Sequence, residues 1–466
     1  MHRKQQKKWV ILHLAKLALV FANTAVFTLI WYLFYSNVIM LPFYNKGNYI
    51  VVALFLVLYI CFSKLYGGFS LTVSRISEII YSQCVAIIMT GFIMYFVTLL
   101  LVRHLPNVLP LLLCMGVCIV ISTLWTYPAN RLSNKVFPPQ RTVLIYENAD
   151  ARYSGKVVTG NMYSRFYVVD EVCATCGTEK VFKILEICEA EAVFICGVRS
   201  SQRNDIVKFC IENNIIAYIR PTIGDLLVDS AQHLQMCNLP VLRCQRLNQS
   251  TWHILGKRLS DILLGLILFL ILSPLMCLTA IAIKMYDGGP VLYRQSRLTR
   301  DRRQFYVYKF RSMRVDAEKD GVARLAARND DRITPVGRII RKVRIDELPQ
   351  ILNILKGEMT FVGPRPERPE IAKQYEQDMP EFALRLQVKA GLTGFAQVYG
   401  KYNTSPYDKL QMDLMYIARQ GFVTDLKIIL ATIKILFLPG STEGIAQGQT
   451  MAVLSDENKL TEEAVR

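Results

Sequence analysis

Two adjacent carboxylates, Asp346 and Glu347, are the residues of this chain best suited to chemistry. From about residue 254 onward the sequence contains no histidine, and its one cysteine, Cys277, lies in an apolar run. If this half of the chain is an enzyme, carboxylates must therefore carry out its chemistry. Phosphoryl transfer with an aspartate as the nucleophile satisfies that constraint.

The residue Pro349, which follows the pair, is tolerated only in the first turn of a helix. The sequence therefore predicts a helix that begins near Asp346, whose N-terminal N–H groups and dipole would suit phosphate. Adjacent helical residues point about 100° apart, so one carboxylate can attack phosphorus while the other holds a metal ion. Spacing alone favours the other interpretation, an acidic pair that only complements the helix dipole.

Basic residues recur on both sides of the carboxylate pair. Arg365 lies between two prolines, which fix the backbone and reduce the cost of presenting a guanidinium to phosphate oxygens. The segment Tyr308–Arg314 alternates basic and apolar residues, with Lys309 and Arg311 among them, as a strand with one basic face would. A third set has the spacing of one helical face: Arg338, Arg341 and Arg344. Each set alone is typical of a solvated surface, but together they predict a polyanionic substrate.

Three further candidates lie after this region. Gln397 belongs to a glycine-rich segment, residues 389–400, that lacks the GK[ST] of a P-loop and is either a nucleotide-contacting loop or a structural turn. Asp413 lies on the helix predicted to follow, and Asp425 lies just beyond that helix. Both are candidate metal or substrate ligands, and simple surface aspartates are the alternative.

Composition favours a membrane protein. The chain has 466 residues, is 52% hydrophobic and carries a formal charge of +18. High hydrophobicity with a basic excess is typical of membrane proteins whose loops face the cytoplasm. Nucleic-acid binding is disfavoured because the basic residues are dispersed and the apolar runs are long. The twelve cysteines include one CxxC, Cys173 and Cys176, without a second pair at zinc-ribbon spacing, so reduced cytosolic cysteines are expected.

Four apolar segments near the ~20 residues of a spanning helix open the chain. They are Leu17–Phe34, Tyr49–Ser63, Cys84–Val102 and Val108–Trp125. Basic residues precede the first, separate the second from the third and follow the fourth, which predicts a cytoplasmic N-terminus and a cytoplasmic chain beyond Trp125. A transmembrane domain of four helices is therefore predicted for residues 1–137.

Residues 138–250 have the pattern of a soluble α/β domain. Strand-like runs alternate with a helical pattern, which predicts a small parallel sheet of Rossmann-like type. The runs are Thr142–Tyr146, Phe166–Val169, Ala192–Cys196 and Ile215–Ile219. The first run is followed by Glu147–Ala151, without the glycines of a phosphate-binding turn. We therefore expect a regulatory or assembly role, with the front half of the chain forming a homodimer.

A fifth apolar run, Leu259–Ile283, is long enough to span a membrane. Ser273 and Pro274 lie at its centre, where proline interrupts the helix ladder and the serine can satisfy a freed carbonyl. Basic residues flank both ends, as in a hairpin that returns to its own side. The sequence therefore predicts a re-entrant helix–break–helix over residues 257–285, with a kinked span as the alternative.

Residues Lys257–Phe437 resemble the catalytic domain of the bacterial sugar transferases, the polyprenyl-phosphate hexose-1-phosphate transferases. The motifs that carry the resemblance are Lys257–Asp261, Ser273–Pro274, Tyr308–Met313, Asp346–Gln350, Phe361–Glu367 and Gly391–Val398. The front half resembles large members, which place four membrane helices and a Rossmann-like domain before the catalytic domain. The expected fold class is a membrane protein, α plus α/β, with a mainly α monotopic catalytic domain over 251–440 and a polar tail over 441–466.

The resemblance implies transfer of a hexose-1-phosphate from a UDP-sugar to undecaprenyl phosphate, with release of UMP. Asp346 would be the nucleophile that forms a phosphosugar–aspartyl intermediate, and Glu347 would help bind Mg²⁺. Substrate-binding roles are expected for matching or nearby positions: Lys309, Arg311, Arg341, Arg365, Gln397, Asp413 and Asp425. Family members of this size commonly use glucose or galactose in surface polysaccharide synthesis, at the cytoplasmic face of the bacterial inner membrane.

The chemistry of the acceptor agrees with a domain that has no histidine. A phosphate monoester has a second pKa near 6 and is anionic at neutral pH, so it can attack without a general base. Two other function classes compete. A lipid-linked sugar flippase is disfavoured by the few charges within the apolar segments. A nucleotide-sensing regulator is disfavoured by the missing glycine turn.

Overall fold

The computed structural model describes nine stretches of the chain, and the predicted tail lies outside them. They are residues 2–39, 46–72, 74–102, 104–162, 165–237, 239–246, 250–314, 332–400 and 404–436. Contacts divide the protein into two compact units, Met1–Arg220 and Pro221–Arg466. This division groups residues 221–250 with the second unit, whereas the domain boundary predicted from sequence falls at residue 250.

The first unit begins with four long helices, and each predicted apolar segment coincides with one of them. They are α1 (His2–Ile30, continued by a π-helical turn Trp31–Tyr35), α2 (Gly47–Leu65), α3 (Ile76–Val102) and α4 (Leu109–Val136). Buried polar side chains link them: Asn23 of α1 donates to Tyr59 of α2 at 2.8 Å and to Ser122 of α4 at 3.1 Å. Tyr59 in turn donates to Gln83 of α3 at 2.8 Å. Such interhelical hydrogen bonds are typical of helices packed in lipid.

The rest of the first unit is a parallel sheet with helices between its strands. Its elements are β1 (Gln140–Tyr146), α5 (Ala149–Asn161), β2 (Phe166–Cys173), α6 (Thr178–Ile187), β3 (Ala192–Cys196), α7 (Ser200–Glu212) and β4 (Ile216–Ile219). The strand order is β2-β1-β3-β4, and every pairing is parallel, which confirms the predicted parallel sheet. At the turn after β1, Asn148 caps α5 by accepting from the Ala151 N–H at 2.8 Å.

The second unit holds the predicted catalytic residues. It opens with α8 (Ile223–Asp229), the hairpin β5 (Gln232–Met236) and β6 (Leu239–Arg243), and the long helix α9 (Thr251–Asp287). Next come the antiparallel pair β7 (Leu292–Leu298) and β8 (Gln304–Phe310), then α10 (Pro335–Lys342), α11 (Gln350–Lys356) and β9 (Thr360–Val362). The remaining elements are α12 (Pro369–Asp378), β10 (Gly391–Thr393, parallel to β9), α13 (Phe395–Tyr399), α14 (Pro406–Ala418) and α15 (Phe422–Leu436).

One large apolar cluster joins several elements of this unit. Buried side chains from α11, β9 and α14 meet in it, among them Ile354, Val362, Leu410 and Leu414. The side chain of Asn353 also ties α11 to β8, since it accepts from the Tyr308 N–H at 3.0 Å and donates to the Tyr306 carbonyl at 2.8 Å. The core therefore fixes α11 and β8 relative to each other, and both lie beside the acidic pair.

Helix α9 differs from the predicted helix–break–helix, because the helix is continuous through Ser273 and Pro274. Proline removes only one N–H donor from the ladder, and the hydroxyl of Ser273 donates to the Leu270 carbonyl at 2.9 Å. The serine thus satisfies the carbonyl that Pro274 frees, as predicted. Five helices in the described residues are long and apolar enough to cross a membrane: α1 with its π turn, α2, α3, α4 and α9. Several membrane-compatible helices in a mixed α/β protein are therefore confirmed.

Candidate active site

The pair Asp346–Glu347 lies in a 3₁₀ turn, Ile345–Glu347, between α10 and α11. The expectation that a helix begins near Asp346 is confirmed for the helical backbone, which starts with this 3₁₀ turn, whereas the α-helix α11 itself starts at Gln350 with Pro349 as its N-cap. Arg344 has a left-handed φ of 56°, which ends the preceding helix and reverses the chain just before the pair. The carboxylates therefore lie on a sharp connection one turn ahead of the helix.

Packing against the long helix holds this turn in position. Ile345, directly before Asp346, packs against a buried cluster formed by Ile283 of α9, Phe310 of β8 and Ile340 of α10. The catalytic candidates thus lie next to the carboxyl-terminal half of α9.

Two cations from distant parts of the chain converge on Glu347. Its Oε1 accepts from Lys309 Nζ at 3.0 Å and from Arg365 Nη2 at 3.3 Å. The carboxylate side chain is only 15% exposed. Burial raises the pKa of Glu347, but Lys309 and Arg365 outweigh burial and hold that pKa well below its usual range. Glu347 is therefore anionic at every pH at which the protein works.

Asp346 is shifted in the opposite direction. Burial raises the pKa of Asp346, the negative charge of Glu347 raises it further, and Lys309 and Arg341 oppose both effects without cancelling them. The two neighbouring carboxylates thus differ in environment: Glu347 contacts Lys309 and Arg365, while Asp346 is the more readily protonated of the two.

A pocket that is open to solvent lies beside Glu347. Its lining combines residues expected from the sequence with others that were not: Arg297, Val307, Lys309, Glu347, Gln350, Arg365, Pro366, Gly391 and Leu392. Arg297 of β7 is mostly buried, with Nη1 donating to the Pro366 carbonyl at 3.0 Å and Nη2 to Gln295 at 2.6 Å. Burial lowers the pKa of Arg297 to about 10, so it remains a cation. The pocket therefore offers three cations to an anionic ligand.

The signal that would have identified Arg297 is strand pairing. Arg297 pairs with Phe305 across the β7–β8 ladder, and Lys309 pairs with Tyr293. Because alternate residues of a strand share a face, Tyr293, Gln295 and Arg297 lie on the face of Lys309. The period-two pattern of β8 identified Lys309, and extending it across the hairpin would have identified Arg297.

The glycine-rich segment has a structural role at this pocket. A Cβ on Gly391 would lie 2.1 Å from the Gly363 N, so the β10 backbone can approach the loop that presents Arg365 only with glycine there. Gln397, further along, donates from Nε2 to the Leu392 carbonyl at 3.3 Å.

Three other predicted residues lie in ion pairs within the second unit. Arg311 follows β8 and pairs with Asp287 at the end of α9. Asp413 of α14 is 1% exposed and lies 2.7 Å from Arg385. Asp425 of α15 pairs with Lys257. A substrate-binding role for each of them stays a prediction.

Residues 252–439 match the model of the bacterial sugar transferase family. The chain is 41% identical over 181 residues to the UDP-N-acetylgalactosamine-undecaprenyl-phosphate N-acetylgalactosaminephosphotransferase of Aeromonas hydrophila, which covers 38% of this chain and 43% of that protein. It is 39% identical over 204 residues to the UDP-glucose:undecaprenyl-phosphate glucose-1-phosphate transferase of Escherichia coli (strain K12), covering 43% of this chain and 44% of that protein. The matched segment thus spans less than half the length of these relatives.

A shorter relative is matched almost throughout. The exopolysaccharide production protein PSS of Rhizobium leguminosarum bv. phaseoli is 38% identical over 188 residues, which cover 38% of this chain and 92% of that protein. This chain belongs to the bacterial sugar transferase family. The match contains the whole pocket described above, and the similarity lies outside the first unit.

A double-mutant cycle tests the ion pair at the centre of the site. Lys309→Met leaves a mostly buried carboxylate with one cation fewer, so we expect it to lower the free energy of unfolding by about 2 kcal/mol. In a Glu347→Gln background the same substitution should cost less, because the charge to be compensated is gone. Thermal unfolding in detergent measures all four proteins, with Lys342→Met, exposed at the end of α10, as the surface control. Equal losses from Lys309→Met in both backgrounds would contradict the pairing.

Proposed function

We propose that this protein transfers a hexose-1-phosphate from a UDP-sugar to undecaprenyl phosphate and releases UMP. The observation that carries the proposal is the acidic pair: Glu347 is held anionic by two cations and lines a pocket with Arg297, Lys309 and Arg365, and Asp346 is the residue next to it in the chain. Family membership and the names of the relatives, which act on undecaprenyl phosphate, support it.

The proposed reaction has two displacements at one phosphorus atom. A carboxylate oxygen of Asp346 attacks the sugar-side phosphorus, the bond to the uridylyl oxygen breaks, and UMP leaves with the electron pair. An oxygen of the lipid phosphate then attacks the same phosphorus and displaces the carboxylate, which returns unchanged. The product is a sugar joined to the lipid by a diphosphate. Arg297, Lys309 and Arg365 would stabilise the charge that develops on the phosphoryl oxygens.

The acidic pair offers carboxylate oxygens, which are compatible ligands for Mg²⁺. This ion is usually held by one or two carboxylates, with substrate phosphates and water completing its octahedron. Glu347 would be the protein ligand next to the donor diphosphate, and the ion would offset repulsion between that diphosphate and the nucleophile. The low pKa of Glu347 suits this role, because the carboxylate needs no deprotonation before it binds a cation.

The relatives differ in the hexose they are named for, with N-acetylgalactosamine, glucose and galactose all represented. We propose glucose or galactose as the sugar and surface polysaccharide synthesis as the setting, since one relative is named for exopolysaccharide production. A panel of UDP-sugars assayed for UMP release with undecaprenyl phosphate assigns the hexose.

We further propose that α9 enters one leaflet and returns to the same side. Near its start, Arg258 donates to the Ile354 carbonyl of α11 at 2.6 Å, and near its end Ile283 packs against Phe310 of β8. A straight helix would separate the backbones of Arg258 and Ile283 by about 37 Å. Yet α11 and β8 are neighbours joined through Asn353. Attachment of both ends to one pair of elements supports a helix that bends near Pro274.

The middle of α9 supports the same proposal. Its apolar side chains are exposed and therefore available to lipid: Leu266, Ile267, Leu270, Ile271, Leu275 and Leu278. Because Ile345 packs against the carboxyl-terminal half of α9, Asp346 would lie at the membrane surface, where a polyprenyl phosphate presents its headgroup.

The first unit supports a separate role. Its parallel sheet has the strand order β2-β1-β3-β4, a doubly wound order that supports a Rossmann-like domain, but Asn148, and not a glycine turn, begins the helix after β1. We propose that this Rossmann-like domain serves assembly and that the front half forms a homodimer. The protein would lie in the bacterial inner membrane, with the Rossmann-like domain on its cytoplasmic side. Strictly monomeric particles of the intact chain in mild detergent would count against this.

Replacement of the nucleophile is the first test. Asp346→Asn keeps the side-chain shape but removes the attacking charge, so UMP release from UDP-sugar should fall by about 10³-fold or more. Asp378→Asn, an exposed aspartate at the end of α12, is the matched control and should retain activity. Undiminished UMP release by Asp346→Asn would remove Asp346 as the nucleophile. Absence of UMP formation by the unmodified protein would favour transport.

The shifted pKa of Asp346 predicts the pH dependence. The nucleophile must be ionised, and burial together with Glu347 raises its pKa above the ordinary 3.8, so activity should decline on acidification before a free aspartate would protonate. Lys309 lowers this pKa, so Lys309→Met should move the acid limb to higher pH, while Lys309→Arg should leave it in place. The acid limb of each variant is measured as single-turnover UMP release without lipid acceptor, because the acceptor's own titration is then absent. An acid limb that moves to lower pH in Lys309→Met would refute the assignment.

Labelling from each side of the membrane tests the re-entrant helix. Trp252 and Met285 are exposed near the two ends of α9. In a cysteine-free background, Trp252→Cys and Met285→Cys should react with a membrane-impermeant maleimide from the same side of sealed vesicles. Leu105→Cys, exposed between α3 and α4 and predicted to face the other side, is the control. Labelling of the two α9 positions from opposite sides would establish a spanning helix.

A further inference from the structure

The loop Gly363–Glu367, which presents Arg365 to the pocket, is poor in hydrogen-bond donors. Two of its five residues, Pro364 and Pro366, have no N–H, so the loop cannot form a regular ladder of its own. The Arg365 side chain is 43% exposed, and its contact with Glu347 is 3.3 Å long. The position of this guanidinium therefore depends on how the loop backbone is held.

Donors from outside the loop bind four successive carbonyls. The Gly391 N–H donates to the Pro364 carbonyl at 2.9 Å, and the Leu298 N–H donates to the Glu367 carbonyl at 3.0 Å. The two carbonyls between them accept from guanidinium groups. Arg385 Nη2 donates to the Arg365 carbonyl at 2.9 Å, and Arg297 Nη1 donates to the Pro366 carbonyl at 3.0 Å. Arginine side chains thus replace the backbone donors that a strand would supply.

Arg385 is a charged side chain built into the protein interior. It is 5% exposed, and its guanidinium lies 4.8 Å from the centre of the Phe382 ring. A buried cation is costly without a counter-ion, and Asp413 of α14 supplies one at 2.7 Å. Glu367 lies 3.7 Å from Arg385 and 3.9 Å from Arg297.

Two carboxylates lie among the cations of this group. Arg297, Arg385 and Lys409 carry three positive charges, and Glu367 and Asp413 carry two negative ones. Burial raises the pKa of Asp413 to about 6 and Arg385 opposes that rise, so Asp413 is ionised at neutral pH. Arg365 interacts most strongly with Glu347, and its partly exposed side chain can meet an anionic ligand.

We propose that Arg385, held by its ion pair with Asp413, is a positioning residue for Arg365 in binding the donor diphosphate. This inference rests on the proposed function, because the diphosphate is the ligand that Arg365 would meet. Asp413 is 1% exposed and contacts Arg385, so its effect on the loop is transmitted through Arg385 and the Arg365 carbonyl.

A double-mutant cycle separates positioning from general stability. Arg385→Lys keeps the charge but supplies a single point donor in place of the planar fork that reaches both Asp413 and the loop. We expect it to raise KM for UDP-sugar about tenfold with a smaller change in kcat, and Arg365→Lys to have a larger effect on kcat/KM. If Arg385 acts through Arg365, Arg385→Lys should raise KM by less than about twofold when Arg365 is already replaced by lysine.

Two further variants keep the test decisive. Asp413→Asn is isosteric, so it repeats the cycle if Arg385→Lys fails to fold. Leu414→Ala, the next and equally buried residue of α14, destabilises the same helix without touching the loop, and its effect should multiply with that of Arg365→Lys. The proposal is overturned if the effect of Arg385→Lys or Asp413→Asn on KM multiplies fully with the effect of Arg365→Lys. It is also overturned if KM is unchanged in both Arg385→Lys and Asp413→Asn.

The same variants distinguish this inference from the proposed function. If the unmodified protein releases no UMP from any UDP-sugar, the proposed function fails. The cycle is then measured on the affinity for UDP in calorimetry. Weaker binding of UDP that is non-additive with Arg365→Lys supports the positioning role, and additive losses or no loss refute it.

Discussion

Two neighbouring carboxylates must coexist in a mostly buried turn, and the rest of the second unit is organised around that constraint. Solvent cannot stabilise both negative charges in such a turn, so the protein surrounds the two carboxylates with different partners. Glu347 receives Lys309 from β8 and Arg365 from the loop after β9, and it is held anionic. Asp346 keeps a raised pKa beside the pocket. The asymmetry gives two chemically similar side chains different properties.

This arrangement needs three segments that are distant in sequence to meet accurately. Asp261 of α9 accepts from the Thr360 hydroxyl at 3.0 Å and from the Phe361 N–H at 3.1 Å, which ties the helix to β9 just before the Arg365 loop. Arg258 satisfies carbonyls at the end of α11, and Asn353 joins α11 to β8. The long apolar helix α9 and the cations of the site are thus parts of one hydrogen-bonded framework, and motion of α9 would displace Glu347's partners.

Local patterns predicted local features well. The alternation of Tyr308–Phe310 identified Lys309, and the strand runs of residues 142–219 predicted a parallel sheet, because period-two spacing is a property of single strands. The sequence did not predict that the acidic pair would lie in a 3₁₀ turn ahead of α11, because a left-handed residue such as Arg344 has no sequence signature unless it is glycine or asparagine. The sequence did not predict the ion pairs of Asp413 and Asp425, because tertiary packing alone brings their partners, Arg385 and Lys257, to them.

The inequality of the two carboxylates also fits a sequence that has no histidine after His253. A general base is needed when a nucleophile must lose a proton in the reaction, but a carboxylate and a phosphate monoester are both anionic near neutral pH. The remaining difficulty is electrostatic, since two anions must approach a third. Arg297, Lys309 and Arg365 line the pocket as fixed cations, and burial strengthens their attraction for phosphoryl oxygens. In the proposed reaction, charge placed in advance by the fold would take the place of proton transfer, and Arg297 and Arg385 bind the carbonyls of the loop that carries Arg365.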